Sequence, residues 1–296
     1  MLNVLITGST GFIGNHLKNT FASEFNLILP SRDELNSDTL LNNINVVIHL
    51  AGIAHDTADT FDFSQYNTSN TILTNTLFDK FIKSNSAVFI FMSSILVLSS
   101  FSSVPLTEDM TPNPLSFYAK SKYESELYIY DYNLPHGKRF YILRTPLVYG
   151  GGNKGNLILL YDFIKKIPFW PLGNYFSFKS FCDIRNISFV IKKMIINQDI
   201  ENGIYHIADN EAYNLNNLYL SISNKEGKIP RLLKFPKFLV ELICLIGSVF
   251  NFSFNLYRLK KITSTLLVSN SKVKIAINSE LPYGSIEDLM QSFNSK

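Results

Sequence analysis

Short apolar runs alternate with stretches of helical periodicity through the first half of the chain, and few folds accept that pattern. Leu2–Thr7, Asn26–Leu29, Asn45–Leu50, Ala87–Met92 and Arg139–Leu143 read as strands. Ile13–Ser23, Tyr66–Ser84 and Phe117–Tyr132 read as helices. The strands are apolar throughout, which is what burial on both faces requires. Strands alternating with helices need right-handed crossovers, hence a parallel sheet covered on both sides. The expected fold class is therefore α/β, a doubly wound parallel sheet.

The order changes after Gly150-Gly151-Gly152. Leu157–Ile167 reads as a helix ended by Pro168. Phe169–Lys179 is aromatic, with Pro171 and Gly173, and reads as loop or short strand. Ile187–Asn197 is a further helix and Ile204–Ala208 a further strand. From Asn214 onward mostly short helices are expected. The chain of 296 residues has room for one large or two modest units. The expected division is 1–150, with 183–208 returning to it, against a small, mostly helical unit of 151–182 and 209–296.

Composition removes several function classes. A net charge of +3 offers no dense basic stripe for nucleic acid. Cys182 and Cys244 form no C-x-x-C, and the five histidines include no H-E-x-x-H, so no metal site is expected. Met1–Thr7 has no basic n-region, and a cytoplasmic location is expected. Phe238–Phe254 is mostly apolar but holds Glu241, Gly247 and Asn251, and is short for a span of about 20 residues. It is expected to be a buried helix. Lys234, Lys237, Lys260 and Lys261 leave open weak association of 232–261 with a membrane surface.

Gly8-Ser9-Thr10-Gly11-Phe12-Ile13-Gly14 follows the first strand and opens the first helix. Glycine permits the tight turn, the approach of backbone to a pyrophosphate, and close packing of helix on strand. The helix start then offers free N–H groups and a positive dipole end. Gly8, Thr10, Gly11, Phe12, Ile13 and Gly14 are thus predicted to hold a dinucleotide. The second strand ends in Pro30-Ser31-Arg32 rather than in an acidic residue. A hydroxyl and a guanidinium suit a 2′-phosphate, so Ser31 and Arg32 point to NADP. In the alternative, Asp33 holds the ribose of NAD.

Tyr118 and Lys122 stand four apart, on one face of a helix. Tyr161/Lys165 and Tyr257/Lys261 share that spacing, so position must discriminate. Only Tyr118 follows a strand whose end carries Ser93-Ser94, and strand ends of a doubly wound sheet are where ligands bind. Hydride transfer at a carbon bearing oxygen needs a proton donor or acceptor on that oxygen. A tyrosine near its usual pKa of about 10 is too weak a base at neutral pH. A nearby lysine ammonium and an oxidised nicotinamide would stabilise the phenolate, a shift of about three units. A serine, Ser94 in preference to Ser93, would orient the substrate oxygen.

Together these residues make the chain resemble the extended short-chain dehydrogenase/reductases of the NAD-dependent epimerase/dehydratase family, which act on nucleotide sugars. The resemblance covers nearly the whole chain. It rests on residues 7–14, His49-Leu50-Ala51-Gly52, Asn67 opening a helix, Ser94, Tyr118/Lys122, and Arg144-Thr145-Pro146-Leu147-Val148-Tyr149-Gly150. It implies a Rossmann-like N-terminal domain and a C-terminal domain holding a nucleoside diphosphate. Ser94, Tyr118 and Lys122 would be catalytic. Leu50, Ala51, Gly52, Asn67, Tyr118 and Lys122 would contact the cofactor. Ser94, Thr145, Asn156, Leu157 and Lys179 would contact a UDP-sugar, with Lys179 standing where the family usually has an arginine.

Asp183, Arg185 and Ser99-Ser100 depart from the usual pattern. The branch that looks most similar comprises UDP-sugar 4-epimerases and 4-ketoreductases of surface polysaccharide synthesis. The absent acidic residue after the second strand favours an NADP(H)-dependent reductase of a UDP-4-keto-sugar. The alternative is a 4-epimerase with tightly bound NAD. A 4,6-dehydratase is disfavoured, because Ile95-Leu96 follow Ser94 where that chemistry needs an acid/base pair. A rival from another class is a non-catalytic nucleotide-binding sensor on the same fold. A homodimer through the helix carrying Tyr118 is the family expectation.

Overall fold

The fold, obtained as a computed structural model, describes residues 1–53, 61–152, 156–249 and 255–293. Its larger sheet is built from β1 (Asn3–Thr7), β2 (Asn26–Ile28), β3 (Val46–His49), β4 (Val88–Met92), β6 (Arg139–Arg144) and β9 (Gly203–His206). The order is β2-β1-β3-β4-β6-β9, and every pair is parallel. Strand side chains alternate between faces, so each strand feeds two cores. Val4, Ile6, Val46, Ile48 and Ile90 meet Leu17 and Phe21 of α1 (Phe12–Phe21) and Val190 and Met194 of α6 (Ile184–Ile196). Leu5, Val47, Phe89, Phe91 and Ile142 meet Phe78 and Phe81 of α3 (Leu73–Lys83) and Ile129 of α4 (Phe117–Tyr130). The chain winds outward from β1 in both directions, which leaves a crevice beyond the carboxyl ends of β1 and β3.

The helix expected over 66–84 starts earlier and is not regular. Asp62 caps α2 (Phe63–Tyr66) in a capping box with Gln65, and a π-helical turn, Asn67–Ile72, joins it to α3. Asn67 therefore sits inside a continuous helical stretch and does not open it.

A second sheet, unforeseen, replaces part of the expected run of short helices. It orders β10 (Ala212–Asn214), β8 (Phe178–Asp183), β11 (Leu266–Val268) and β5 (Ser102–Leu106), with β7 (Leu147–Tyr149) pairing β8. Strands of three to six residues carry too little periodicity to be read from sequence. A second core lies against this sheet. It draws on α5 (Asn156–Lys166), α7 (Leu215–Lys225), α8 (Lys237–Val249), α9 (Leu256–Thr263) and α11 (Ile286–Ser292). At its centre Trp170 stacks on Tyr219 at 5.3 Å and donates to Asn216 Oδ1 at 2.9 Å. The layers do not follow chain order. β5 comes from the first half yet pairs with β11, and α10 (Ser271–Ile277) gives Val273 and Ile277 to the larger sheet's core.

The expectation of a buried helix at 238–254 is corrected. In α8 only a narrow stripe, including Val240 and Cys244, turns inward, while Phe238, Leu242 and Ile243 are exposed. Residues 250–254 of that stretch lie outside the described residues. Among the described residues, no helix is long and apolar enough to cross a membrane.

A buried polar knot ties the two layers. Asp183 caps α6 by accepting the Arg185 N–H at 2.9 Å, and Arg185 pairs with both Asp183 and Asp288. Asp209 Oδ1 accepts from the Asp183 N–H at 2.8 Å and from Asn186 at 2.9 Å. Its Oδ2 is buried without a hydrogen bond of good geometry, although the Tyr149 hydroxyl lies beside it. Burial raises the Asp209 carboxyl to about 7, against the hydrogen bonds that lower it. Between roughly pH 4 and 7 the folded chain thus holds a proton that the unfolded chain has released, and stability falls as pH rises. A shift of about three units is worth ~4 kcal/mol. Asp209→Asn is expected to add about 2–4 kcal/mol at pH 8 and almost nothing near pH 4. Urea unfolding at the two pH values checks it, and a loss of stability at pH 8 refutes the sign.

Candidate active site

The crevice is shaped first by backbone. Gly8 has φ +68°, and a Cβ there would fall 2.8 Å from the Ala51 nitrogen; one on Gly14 would fall 2.2 Å from the Gly8 carbonyl oxygen. The turn closes with the Gly11 N–H on the Gly8 carbonyl at 3.0 Å. α1 starts from Gly11 with no side-chain cap and no acidic residue in its first turn. The amides of Phe12 and Ile13 and the positive helix end therefore face an anion without competition. This cradle fits the diphosphate of a dinucleotide. Thr10 is exposed on the turn, and Phe12 and Ile13 are half-buried behind it.

The facing loop after β3 is fixed by a network the sequence did not announce. Thr7 Oγ1 bonds His49 Nδ1 at 2.7 Å and accepts the Leu50 and Ala51 N–H groups at 3.2 and 3.1 Å. His49 Nε2 bonds Thr74 at 3.0 Å. Burial, with the Lys122 charge adding to it, lowers His49 to about 3, so it stays neutral and structural. Asn70 accepts the Ile53 N–H at 2.8 Å and donates to Ser121 Oγ at 2.9 Å. A Cβ on Gly52 would sit 2.5 Å from Asn70 Oδ1. Asn70, rather than the half-buried Asn67, thus ties this loop to α4.

At the end of β2, Arg32 is exposed. Ser31 is held by Glu34 instead: its N–H donates to Glu34 Oε2 at 2.7 Å, and its hydroxyl accepts the Glu34 N–H at 3.4 Å. The hydrogen bonds from Ser31 hold the Glu34 carboxyl below its ordinary value. A carboxylate therefore stands beside Ser31 in the turn that follows β2, six residues past its last residue.

Ser116 caps α4 by accepting the Ala119 N–H at 3.1 Å. One face of α4 then carries Tyr118, Lys122 and Glu126 at four-residue spacing. The Tyr118 hydroxyl lies beside Ser94, whose Oγ accepts the Leu96 N–H at 3.2 Å. Lys122 Nζ donates to the Met92 carbonyl at 2.9 Å and lies 4.7 Å from the centre of the Phe91 ring. Burial lowers Lys122 to about 8, opposed by Glu126.

The shift expected for the Tyr118 hydroxyl depends on a bound nicotinamide, and the chain alone moves this hydroxyl the other way. Burial raises it to about 12; the contact with Ser94 lowers it, and Tyr66 and Glu126 raise it further. The chain by itself thus keeps a phenol, because burial outweighs the contact with Ser94.

Beneath them lies a buried ion pair. Arg144 Nη2 meets Glu126 Oε2 at 2.6 Å, and Arg144 Nε meets Oε1 at 3.0 Å, with both side chains 2% exposed. Ser93 donates to the same carboxylate. The two serines are thereby divided, with Ser93 bonded to Glu126 and Ser94 beside Tyr118.

The expected substrate residues scatter. Thr145 is buried, with its carbonyl accepting the Ile95 N–H at 3.0 Å beside the Ser94 turn. Leu157 turns its side chain into the second core. Lys179, on β8, donates to the Lys261 carbonyl at 3.2 Å and to Ser264 at 2.9 Å. Burial, with Lys261 adding to it, lowers its ammonium to about 8. The side chain of Asn156 lies outside the described residues. Among the described residues, no group of three His, Cys, Asp or Glu side chains is arranged to hold a metal ion.

The NAD dependent epimerase/dehydratase family matches residues 4–208, which span the larger sheet and the whole Ser94, Tyr118 and Lys122 set. The chain belongs to that family. Among its relatives, the N-acetyl-alpha-D-glucosaminyl-diphospho-ditrans,octacis-undecaprenol 4-epimerase of Escherichia coli O157:H7 is 27% identical over 247 residues, covering 76% of this chain and 73% of that protein. The UDP-glucose 4-epimerase of Vibrio cholerae is 29% identical over 232 residues, 70% of each chain. Among solved structures, the UDP-glucuronic acid 4-epimerase of Bacillus cereus with NAD superposes at a TM-score of 0.76, with 19% identity, over 99% of this chain and 98% of that one. RMD from Pseudomonas aeruginosa with NADPH also reaches 0.76, with 17% identity, over 100% of this chain and 97% of that one. These two show the fold. As a member of the epimerase/dehydratase family, the protein works with a nicotinamide dinucleotide.

Proposed function

We propose that the protein is a 4-epimerase of a diphosphate-linked sugar, with a UDP-sugar as the first substrate to test, in the synthesis of a surface polysaccharide precursor. The observation that carries this reading over a reductase is Glu34. A carboxylate in the turn that follows β2 would accept from the ribose diol of NAD and repel the 2′-phosphate of NADP. The names of both curated relatives, each a 4-epimerase, support the same choice. The sequence alone favours NADP through Ser31 and Arg32. The structure commits Ser31 to Glu34.

A nicotinamide dinucleotide, when bound, supplies reversible hydride transfer at C4. The chain does the rest. The amides of Phe12 and Ile13 hold the diphosphate, and Gly52 lets the cofactor's neighbour loop approach α4. Ser94 donates to the C4 oxygen, Tyr118 Oη takes its proton and later returns it, and Lys122 holds positive charge beside the phenol. The larger unit, 1–150 with 183–208, would hold the cofactor, and the smaller one the sugar diphosphate. A homodimer through α4 and a cytoplasmic location belong to the same proposal.

The second reading, an NADPH-dependent 4-ketoreductase, is favoured by exposed Arg32. Nucleotide released from purified protein and identified by mass spectrometry separates the two. Near-stoichiometric NAD, with sugar interconversion that consumes none, is the expected result. A chain that retains no nucleotide, binds NADPH far more tightly than NADH and oxidises one per turnover would overturn it.

A further inference from the structure

A helix packed on a domain turns its apolar stripe inward. α8 turns most of its apolar surface outward. Val240 and Cys244, 4% and 0% exposed, form the inward stripe with Gly247. Phe238 (65% exposed), Leu239, Leu242, Ile243 (61%), Leu245 and Ile246 point away from the protein. At about 100° per residue these six fill a continuous arc of roughly 160°, set opposite the buried stripe. Glu241 and Ser248 stand outside that arc.

Charge surrounds it. Lys234 and Lys237 precede or start α8, while Lys260 and Lys261 lie on α9, which packs against α8. All four are exposed. Residues 232–261 hold five basic residues and one acidic one, whereas the entire chain nets +3. The positive surplus of the protein is therefore concentrated around its most exposed apolar helix. An aliphatic arc edged by lysines complements acyl chains beneath anionic headgroups. A helix of 13 residues is about 20 Å long, too short for a hydrocarbon core of about 30 Å but long enough to lie along its surface.

We propose that α8 and its basic flanks dock the protein on an anionic lipid surface, with the outer arc sunk among the headgroups. The inference does not depend on which reaction the active site performs. It adds a reason to test sugars carried on a membrane-anchored diphosphate.

The test is flotation of the full chain with vesicles of phosphatidylcholine and phosphatidylglycerol in equal parts, against phosphatidylcholine alone. The protein is expected to float with the anionic vesicles, and about tenfold or more better than with the neutral ones. Leu242→Glu with Ile246→Glu should abolish flotation. Lys260→Gln with Lys261→Gln should weaken it about tenfold and make it less sensitive to salt. Both variants should keep the parent's melting temperature and bound nucleotide, since none of these side chains enters a core; the lysine pair still reports if the α8 pair misfolds. Wild type that floats with neither vesicle overturns the proposal. So does a wild-type oligomer that Leu242→Glu with Ile246→Glu converts to monomer without any vesicle binding, because a second copy of the chain then covers the face.

Discussion

Tyr118→Phe is expected to lower turnover by about 10²- to 10⁴-fold while the nicotinamide cofactor stays bound. The substitution removes one oxygen from the face of α4 and leaves the ring, its contact with Tyr66 and the cap at Ser116 in place. Ser94 loses its phenol partner but keeps the Leu96 N–H. The loss therefore falls on kcat, because the oxygen proposed to take and return the substrate proton is gone. Since burial holds Tyr118 near 12, the wild-type proton acceptor needs help that the chain alone does not supply. The positive ring of an oxidised nicotinamide is the source that the chemistry requires. Cofactor content by absorbance and turnover with a UDP-sugar check the result. Undiminished turnover would remove Tyr118 from the mechanism, and lost cofactor would make it a binding residue.

Glu126→Ala is expected to be the most damaging single change to stability, at about 3–5 kcal/mol. It leaves the Arg144 guanidinium buried with no anion, and Ser93 without its acceptor. Arg144 Nη1 already has no hydrogen-bond partner among the described residues. The double change Glu126→Leu with Arg144→Met should recover most of that loss, since a buried pair replaced by apolar side chains is often neutral or better. Activity should not recover with it. Glu126 raises the pKa of Lys122, opposing a burial that lowers it to about 8. Without Glu126 a larger share of Lys122 is neutral at pH 7, and kcat should then fall at neutral pH and recover toward acid, where Lys122 is protonated again. Denaturant unfolding with a pH profile of kcat tests both halves. A double variant as unstable as Glu126→Ala would mean that the pair is needed for the fold itself.

The larger sheet was legible because its strands are buried on both faces, and such strands show as unbroken apolar runs. The second sheet was not, because its strands are short and its pairings join distant segments, as when Leu266 meets Ser102 and Lys179. Glycine spacing marked the cradle, since backbone contacts as close as Gly14 on Gly8 admit no other residue. The Tyr118/Lys122 stride marked one face of α4. Continuing that stride reaches Glu126, a signal that was available. Its partner Arg144 sits at the end of β6, and no spacing within one helix reveals it. Asn70 was hidden for a different reason. Asn67 and Asn70 stand three apart, on neighbouring positions of a helix, and that spacing does not tell which of them faces the loop. Glu34 was hidden by a turn, which folds it back onto Ser31 from three residues away.

The pairing of β5 with β11, and the return of α10 to the larger core, bear on how such a protein can change over generations. Its two sheets are laced by chain that passes between them repeatedly. No single cut yields two halves that each keep their own core. New specificity in this architecture cannot be acquired by exchanging one module for another. It has to be acquired in place, by substitution on segments whose ends remain stitched to the old scaffold.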